Sequence, residues 1–400
     1  MSAVSETMST PAEAIVHDAV ILDSDPATYS TDFADTWLAV AGGTVLARGR
    51  GAHWQSLAGP DTEVVDAAGA HLAPAFVDMH VHGAGGHNVE DGPDHLGEIL
   101  AVHRAHGTRA LTLSFVSDRI DPLAASLTAG ARAARGRPDI LGLHAEGPFL
   151  SPDFKGAHAP EVLTPPTAEA VDRILEAADG ELLQVTLAPE LPGALDAIGR
   201  FASAGVKVAV GHTAAGYDET ARAFDAGASI LTHVFNGMPG IHHRAPGPIL
   251  AALDAPHVTL ELINDGTHVQ APAARMITEL APGRVALITD AMAATGMGDG
   301  DYLLGSLPVR VRDSVARVRH ADGSVGSIAG STLTMDEALR RAVAEVGMSP
   351  IAAVQAASLV PLRALGLVDP EVHSLLRVGK PADCVLLDAD MRLQRVWLGD

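Results

Sequence analysis

Short apolar, β-branched segments recur along the middle of the chain, and alanine-rich stretches of helical character separate them. Nearly continuous apolar character is typical of strands that are buried on both faces. Eight such strands with helical spacers predict an α/β fold, a (β/α)8 barrel of the TIM type. A doubly wound open sheet is the alternative, but no Gly-x-Gly-x-x-Gly turn follows the first segment. The predicted strands are Ala75–His80, Ala110–Phe115, Ile140–Glu146, Leu182–Ala188, Val206–His212, Ser229–Phe235, Val258–Ile263 and Val285–Asp290.

The two ends of the chain differ from this middle part. Residues 12–73 and 372–400 consist of short β-like runs interrupted by glycine and polar turns. We therefore expect one small β-sandwich domain built from both ends, next to a barrel over residues 74–371. Residues 1–11 lack a basic segment followed by an apolar one, so we expect a short disordered tail and not a signal peptide.

Charge and cysteine content narrow the function. The net charge is −22, from 27 basic and 49 acidic residues, which argues against nucleic acid or an anionic membrane as a partner. An anionic substrate would need a local basic pocket. No apolar run is long enough to cross a bilayer. The single cysteine, Cys384, lies in an apolar run, and a cytoplasmic location is expected.

Polar residues cluster where the predicted strands end. Because barrel active sites lie at the C-terminal ends of the strands, these residues should converge on one mouth. The period of two sends both imidazoles of a His-x-His sequence to the same side of a strand. Imidazole and carboxylate ligands suit zinc, iron, manganese or cobalt, so the pattern predicts a divalent metal site. The strand-end residues are His80, His82, Glu146, His212, His233 and Asp290.

Asp290, at the end of the eighth strand, is a candidate for a different role. A bound metal lowers the pKa of water from about 15.7 towards about 7. A carboxylate beside that water can accept its proton and later deliver it to a leaving amine. The alternative is that Asp290 caps the following helix.

These motifs, in their order along the chain, resemble the N-acetylglucosamine-6-phosphate deacetylase family of the amidohydrolase superfamily. The resemblance covers essentially all of the chain after the tail. The segments that carry it are Phe76–Gly83, His144–Leu150, Gly211–Thr213, Thr232–Pro239, Asp265–His268, Thr289–Met292 and Ala329–Thr334.

The resemblance implies a role for each strand-end residue. It makes Glu146, His212 and His233 the principal metal ligands. The pair His80 and His82 matches the ligands of a second ion, so one or two divalent ions per subunit are expected. Asp290 matches the catalytic acid and base. His268 matches the residue that polarises the acetyl carbonyl and supports the oxyanion.

The resemblance also implies substrate contacts and a homodimer. Gly237 stands where many relatives carry alanine, and a backbone contact would survive that change. Arg244 follows His242 and His243 in a loop rich in glycine and proline, and guanidinium matches phosphate oxygens well. The resemblance adds that this arginine serves the partner's active site. The implied contacts are His158, Asn236, Gly237, Arg244, His268, Ile328, Ala329, Gly330 and Ser331.

The expected reaction is therefore metal-dependent hydrolysis of the N-acetyl group of N-acetylglucosamine-6-phosphate, in amino-sugar catabolism and cell-wall recycling. A deacetylase for the galacto epimer is an alternative that the sequence separates poorly. A cyclic-amide hydrolase would use a carbamylated lysine at the end of strand four, yet none of the chain's three lysines lies there. A non-catalytic barrel would have lost ligand or base positions, and none is missing.

Overall fold

Eight parallel strands follow one another in chain order around a barrel in this computed structural model, which describes residues 11–24 and 35–398. The predicted tail lies outside the described residues apart from Pro11. The predicted (β/α)8 barrel is confirmed. Barrel strands one to eight are Phe76–Val81, Thr108–Phe115, Ile140–Glu146, Leu182–Leu187, Lys207–Val210, Ala228–Leu231, Thr259–Ile263 and Val285–Ile288.

The barrel closes between its eighth and first strands. The backbone N–H of Asp290 donates to the carbonyl of His80 at 3.0 Å, and Val81 pairs in parallel with Ala291. Strands five and six end earlier than the sequence predicts. His212 and His233 have φ of 46° and 27°, outside the β region, so regular strand structure ends before each of them.

The helices that cover the barrel follow from capping and apolar periodicity. In Ala168–Ala178, for example, the side chain of Thr167 accepts the N–H of Ala170, and Val171, Ile174 and Ala178 form the buried face. No helix among the described residues is long and apolar enough to span a membrane. The α-helices are Leu96–Ala105, Ile120–Ala134, Ala168–Ala178, Ala194–Ser203, Tyr217–Asp225, Gly247–Asp254, Ala271–Leu280, Met335–Arg341, Pro350–Ala356 and Leu359–Ala364, with a π-helical turn at Ala342–Val346.

Both ends of the chain contribute to one seven-stranded sheet, in which Cys384–Leu387 pairs antiparallel with His71–Pro74. Because side chains alternate along a strand, Cys384 and Leu386 pack in the sheet's own apolar cluster, whereas Val385 and Leu387 pack in the barrel core. The domain boundaries at residues 12–73, 74–371 and 372–400 stay predictions. The strands are Ala14–Ile21, Thr36–Ala41, Thr44–Arg50, Glu63–Asp66, His71–Pro74, Cys384–Leu387 and Leu393–Trp397.

A four-stranded antiparallel sheet follows barrel strand eight, which the sequence analysis does not anticipate. Its buried face, with Val309, Val311 and Ala316, packs against Met292 and Ala329. It therefore lies at the end of the barrel where the predicted site residues converge. Its strands are Gly300–Leu304, Leu307–Arg312, Val315–Arg319 and Val325–Ile328, and a two-stranded hairpin, Gly83–Ala84 with His87–Asn88, follows strand one.

Candidate active site

Glu146, at the end of strand three, lies among imidazoles at the barrel mouth, four of which lie within 3.5 Å of its oxygens. Its Oε1 atom is 3.2 Å from Nε2 of His212 and 3.2 Å from Nε2 of His233. Its Oε2 atom is 3.1 Å from Nε2 of His82 and 3.5 Å from Nε2 of His158. All five side chains are buried. Residues that lie far apart in the sequence thus meet around one carboxylate, and the strand-end residues among them, His82, His212 and His233, meet at one mouth.

The backbone fixes the orientation of two of these rings. Nδ1 of His212 lies 2.9 Å from the carbonyl of Phe154, and Nδ1 of His233 lies 3.1 Å from the carbonyl of Asn236. A carbonyl only accepts, so each Nδ1 donates, and in the neutral ring Nε2 then carries the lone pair that can bind a cation. The two Nε2 atoms are 3.0 Å apart. Two lone pairs at that distance repel unless a cation lies between them, so this donor set fits a divalent metal.

His80 and His82 form a second pair of the same kind. Their Nε2 atoms are 3.1 Å apart, which confirms that the His-x-His spacing brings both rings together. Nδ1 of His82 lies 2.9 Å from the carbonyl of Ser114, and Nδ1 of His80 lies 3.1 Å from Oε2 of Glu261. With Glu146, this pair brings three ligand atoms within 4.8 Å of one another. The residues present therefore fit one or two ions that share Glu146.

His158 reaches the same place, although the sequence predicts only a substrate contact for it. With Glu146 and His212 it forms a second group whose ligand atoms lie within 4.8 Å of one another. Burial lowers the pKa of His158 to about 4, despite the opposing hydrogen bond to Glu146. The ring is therefore neutral at neutral pH.

Asp290 lies beside the second pair. Its Oδ1 atom is 3.2 Å from Nε2 of His82 and 3.7 Å from Nε2 of His80. Burial raises the pKa of this carboxyl. The charge of His80 and the hydrogen bond of His82 lower it by more than burial raises it, so the pKa lies below the ordinary value. Asp290 is thus ionised at neutral pH, the state that a general base requires.

Three of these residues have a left-handed backbone. The φ angles of His212, His233 and Asp290 are 46°, 27° and 51°, a region that side chains other than glycine, asparagine and aspartate rarely adopt. Gly237 has φ of 60°, and a Cβ there would lie 2.8 Å from Nδ1 of His212. A glycine is therefore favoured at position 237, because a larger residue would have both an unfavourable φ and a close contact with the ring of His212.

A cavity of about 360 Å³ opens in front of Glu146 and Asp290. His268 lines it, and Leu304 and Ser327 of the four-stranded sheet form part of its wall. The predicted substrate contacts His158, Asn236, Gly237, Ile328 and Gly330 also line it.

Three predicted substrate contacts lie elsewhere. Ala329 packs in the apolar cluster under the four-stranded sheet. Ser331 is buried and bound to strand eight: its N–H donates to the carbonyl of Asp290 at 2.7 Å. Arg244 lies exposed in the loop after strand six. No arginine or lysine is among the described residues that line the cavity in one subunit.

The sequence did not point to several polar residues that lie inside the barrel, next to the candidate metal ligands. Glu261 and Gln184 lie within barrel strands and are fully buried. Asp78 accepts the hydroxyl of Thr289 at 2.5 Å and so links strands one and eight; burial raises its pKa to about 7. The available signal is a polar residue inside an otherwise apolar strand, as Glu261 is in Thr259–Ile263.

Comparison with known proteins agrees with this geometry. The profile of the amidohydrolase family matches residues 71–398. The chain therefore belongs to the amidohydrolase family.

Similar proteins within that family include amino-sugar-phosphate deacetylases. N-acetylgalactosamine-6-phosphate deacetylase of Escherichia coli O157:H7 is 41% identical over 82% of this chain and 86% of its own. N-acetylglucosamine-6-phosphate deacetylase of Vibrio furnissii is 35% identical over 82% of this chain and 81% of its own. A solved structure of the Mycobacterium smegmatis N-acetyl-D-glucosamine-6-phosphate deacetylase, an aspartate-to-alanine variant in complex with N-acetyl-D-glucosamine-6-phosphate, superposes with a TM-score of 0.87. It is 40% identical and covers 97% of this chain and 98% of its own.

Proposed function

We propose that this chain hydrolyses the N-acetyl group of N-acetylglucosamine-6-phosphate to give glucosamine-6-phosphate and acetate. One observation carries the proposal: two sets of metal-ligand candidates and the ionised carboxylate of Asp290 meet at a single cavity that His268 also lines. The names of the similar proteins supply the substrate class. A role in amino-sugar catabolism and cell-wall recycling is part of the proposal.

The proposed metal ligands are Glu146, His212 and His233 for one ion and His80 with His82 for a second. Zinc, iron, manganese and cobalt all suit imidazole and carboxylate donors. A divalent cation held there supplies a Lewis acid that lowers the pKa of a bound water.

The catalytic work of the chain's own side chains is divided between two residues. Asp290 accepts a proton at its carboxylate when water attacks the acetyl carbon, and returns that proton to the amine as the C–N bond breaks. His268 donates from Nε2 to the acetyl oxygen, where negative charge develops. Asp265 supports this donation, because its Oδ2 lies 2.6 Å from Nδ1 of His268.

The described residues that line the cavity of one subunit include no arginine or lysine for the phosphate. Arg244 is the proposed cation for the phosphate, reaching the active site of the partner in a homodimer. Its exposure on a loop bounded by Gly240 and Pro246 supports this role. We further propose that the enzyme is cytoplasmic, since its one cysteine, Cys384, is a buried free thiol.

The galacto epimer is a second candidate substrate, because the galactosamine-6-phosphate deacetylase of E. coli is 41% identical, against 35% for the glucosamine enzyme of V. furnissii. Steady-state kinetics on both N-acetylated sugar phosphates and on unphosphorylated N-acetylglucosamine test the proposal. We expect the highest kcat/KM on the gluco phosphate. A higher value on the galacto phosphate would reassign the substrate, and inactivity on both would refute the proposed function.

A further inference from the structure

Glu261 and Gln184 form a polar pair inside the barrel, beneath the candidate metal ligands. Glu261 lies on strand seven and Gln184 on strand four, and neither has exposed surface. Nε2 of Gln184 donates to Oε1 of Glu261 at 2.8 Å. Oε2 of Glu261 lies 3.1 Å from Nδ1 of His80 and accepts the backbone N–H of His233 at 3.3 Å. Two of the three contacts of the Glu261 carboxylate thus go to candidate metal ligands, His80 and His233, and the third goes to Gln184.

The four strand-end imidazoles are not supported alike. The Nδ1 atoms of His82, His212 and His233 face neutral backbone carbonyls. The Nδ1 atom of His80 faces the carboxylate of Glu261. Either acceptor fixes the tautomer, but only a carboxylate brings negative charge, which makes the opposite Nε2 a stronger donor to a cation.

The hydrogen-bond partners of Glu261 in the described chain are an amide, a backbone N–H and an imidazole. The imidazole, that of His80, is the partner whose own ring reaches the other candidate ligands. Its Nε2 lies 3.1 Å from Nε2 of His82 and 3.6 Å from Oε1 of Glu146. An effect of the Glu261 carboxylate on the site therefore passes through His80.

We propose that Glu261 is a positioning residue for a second metal ion. It holds His80 through Nδ1 and gives that ring the donor strength to bind an ion together with His82 and Glu146. Loss of its charge should weaken binding on the His80/His82 side and leave the Glu146/His212/His233 side intact. The inference rests on the proposed metal-dependent function and specifies two ions for this chain.

The test is metal binding by the full chain, freed of metal by chelation and titrated with Zn²⁺ in a calorimeter and with Co²⁺ by visible absorption. Wild type should bind two ions. Glu261→Gln keeps an oxygen that can accept the N–H of His80. Its new amide N–H can donate to Oε1 of Gln184, which has no hydrogen-bond partner in the described structure, once the amide of Gln184 turns over. The contacts are then kept and the charge is lost. This variant should bind one ion as wild type does and the other about 10–100-fold more weakly, the usual effect of removing such a partner.

A control is Asp139→Asn, which also replaces a buried carboxylate by its amide. Asp139 precedes strand three, at the end of the barrel away from the site, and accepts N–H groups of Arg137 at 3.1 and 3.0 Å. Both ions should bind this control within about threefold of wild type. A His80→Asn variant should lose the same ion as Glu261→Gln, and combining the two should cause no further loss, since the carboxylate acts through His80.

Three results would overturn the inference: one ion in wild type, wild-type affinity for both ions in Glu261→Gln, or an equal weakening of both. If Glu261→Gln does not fold, the same metal titrations on Glu261→Asp test the inference. This variant keeps the charge one methylene farther away, and unchanged binding of both ions by it would overturn the inference. A wild type that deacetylates with one ion refutes this inference alone, whereas a two-ion protein inactive on acetylated sugar phosphates refutes the proposed function alone.

Discussion

Both oxygens of Asp265 contact His268, three residues later: Oδ2 lies 2.6 Å from the ring Nδ1, and Oδ1 accepts the backbone N–H at 2.7 Å. Burial raises the pKa of Asp265, but the hydrogen bond and charge of His268 outweigh it, so the pKa lies below the ordinary value. The carboxylate therefore fixes the direction of the ring at the cavity wall.

Asp265→Asn should lower kcat because the amide removes the negative charge that lies 2.6 Å from Nδ1 of His268. We expect a loss of at least about tenfold, but less than the 10²–10³-fold typical of removing an oxyanion donor outright. Measured metal content should stay at the wild-type value. Wild-type kcat in this variant would show that Asp265 only shapes the loop.

Asp290→Asn should fold and keep its metal but lose about 10²–10⁴-fold in kcat, because the proton acceptor is gone. Asparagine tolerates the left-handed φ of 51° at this position. Asp290→Ala is the comparison: it should be equally inactive and also less stable, by about 1–2 kcal/mol in urea unfolding. More than about a tenth of wild-type kcat in Asp290→Asn would assign the base elsewhere.

Chelation should abolish activity, and zinc, iron, manganese or cobalt should restore it. Substituting both His80 and His82 by asparagine should leave about one ion per chain and some activity, since Glu146, His212 and His233 remain. Glu146→Gln should weaken both ions, because its two oxygens face both sets of imidazoles. Elemental analysis measures the metal content. Complete metal loss in the His80/His82 variant would show that this pair, and not Glu146, His212 and His233, binds metal more tightly.

Arg244→Ala should raise KM for the phosphorylated sugar and change little for the unphosphorylated one. A hydrogen bond to a charged group contributes about 1.5–3 kcal/mol. Arg173→Ala is a matched control, since Arg173 is a surface arginine near Asp121, on the outer helix Ala168–Ala178. An equal loss on both sugars would refute the phosphate role.

Mixing Arg244→Ala with Asp290→Asn tests whether the arginine crosses the dimer. If it does, mixed dimers place both defects in one site and leave the other intact, so activity returns in part. No recovery after confirmed subunit exchange would assign Arg244 to its own subunit's site.

The pair of His106 and Asp336 should make stability depend on pH. Nδ1 of His106 lies 3.0 Å from Oδ2 of Asp336, which raises the pKa of His106 above 6.5. Burial raises the pKa of Asp336, but the hydrogen bond from His106 and other nearby groups outweigh it, so this pKa lies below 3.8. The histidine's contribution is complete below pH 6.5 and is lost as pH rises through its raised pKa. The aspartate's contribution is present above pH 3.8 and is lost below that.

His106→Gln should therefore be destabilised most between about pH 4 and 6.5. Because His106 is partly exposed, the difference in free energy of unfolding should be only about 0.5–1 kcal/mol. Urea unfolding of both proteins at pH 5.5 and 8.5 measures it. A difference that grows towards pH 8.5 would contradict the assignment.

The barrel could be predicted because its strands are buried on both faces and therefore read as apolar runs. The four-stranded sheet could not, since its strands are half exposed, as in Leu307–Arg312. Its central turn has positive φ at Asp313 and Ser314, where the sequence lacks the Asn-Gly or Asp-Gly pair that signals a tight hairpin.

The convergence of the candidate ligands could be predicted for a related reason: each lies where a strand ends, and strand ends of a barrel meet at one mouth. Glu261 lies inside a strand, so position alone gave no signal, and only its contact with His80 indicates a role. The predicted ends of strands five and six were wrong, because the backbone leaves the β region before it reaches His212 and His233.

The left-handed backbone at His212 and His233 has a consequence for the protein without metal. Such a conformation costs about 1–2 kcal/mol relative to the right-handed one, and bonds from these two proposed ligands to a cation would offset that cost only while the cation is present. Removal of metal should therefore relax the ends of strands five and six as well as stop the chemistry. Amide hydrogen exchange should quicken at these two segments before the rest of the barrel opens, so that unfolding is expected to begin at the emptied site.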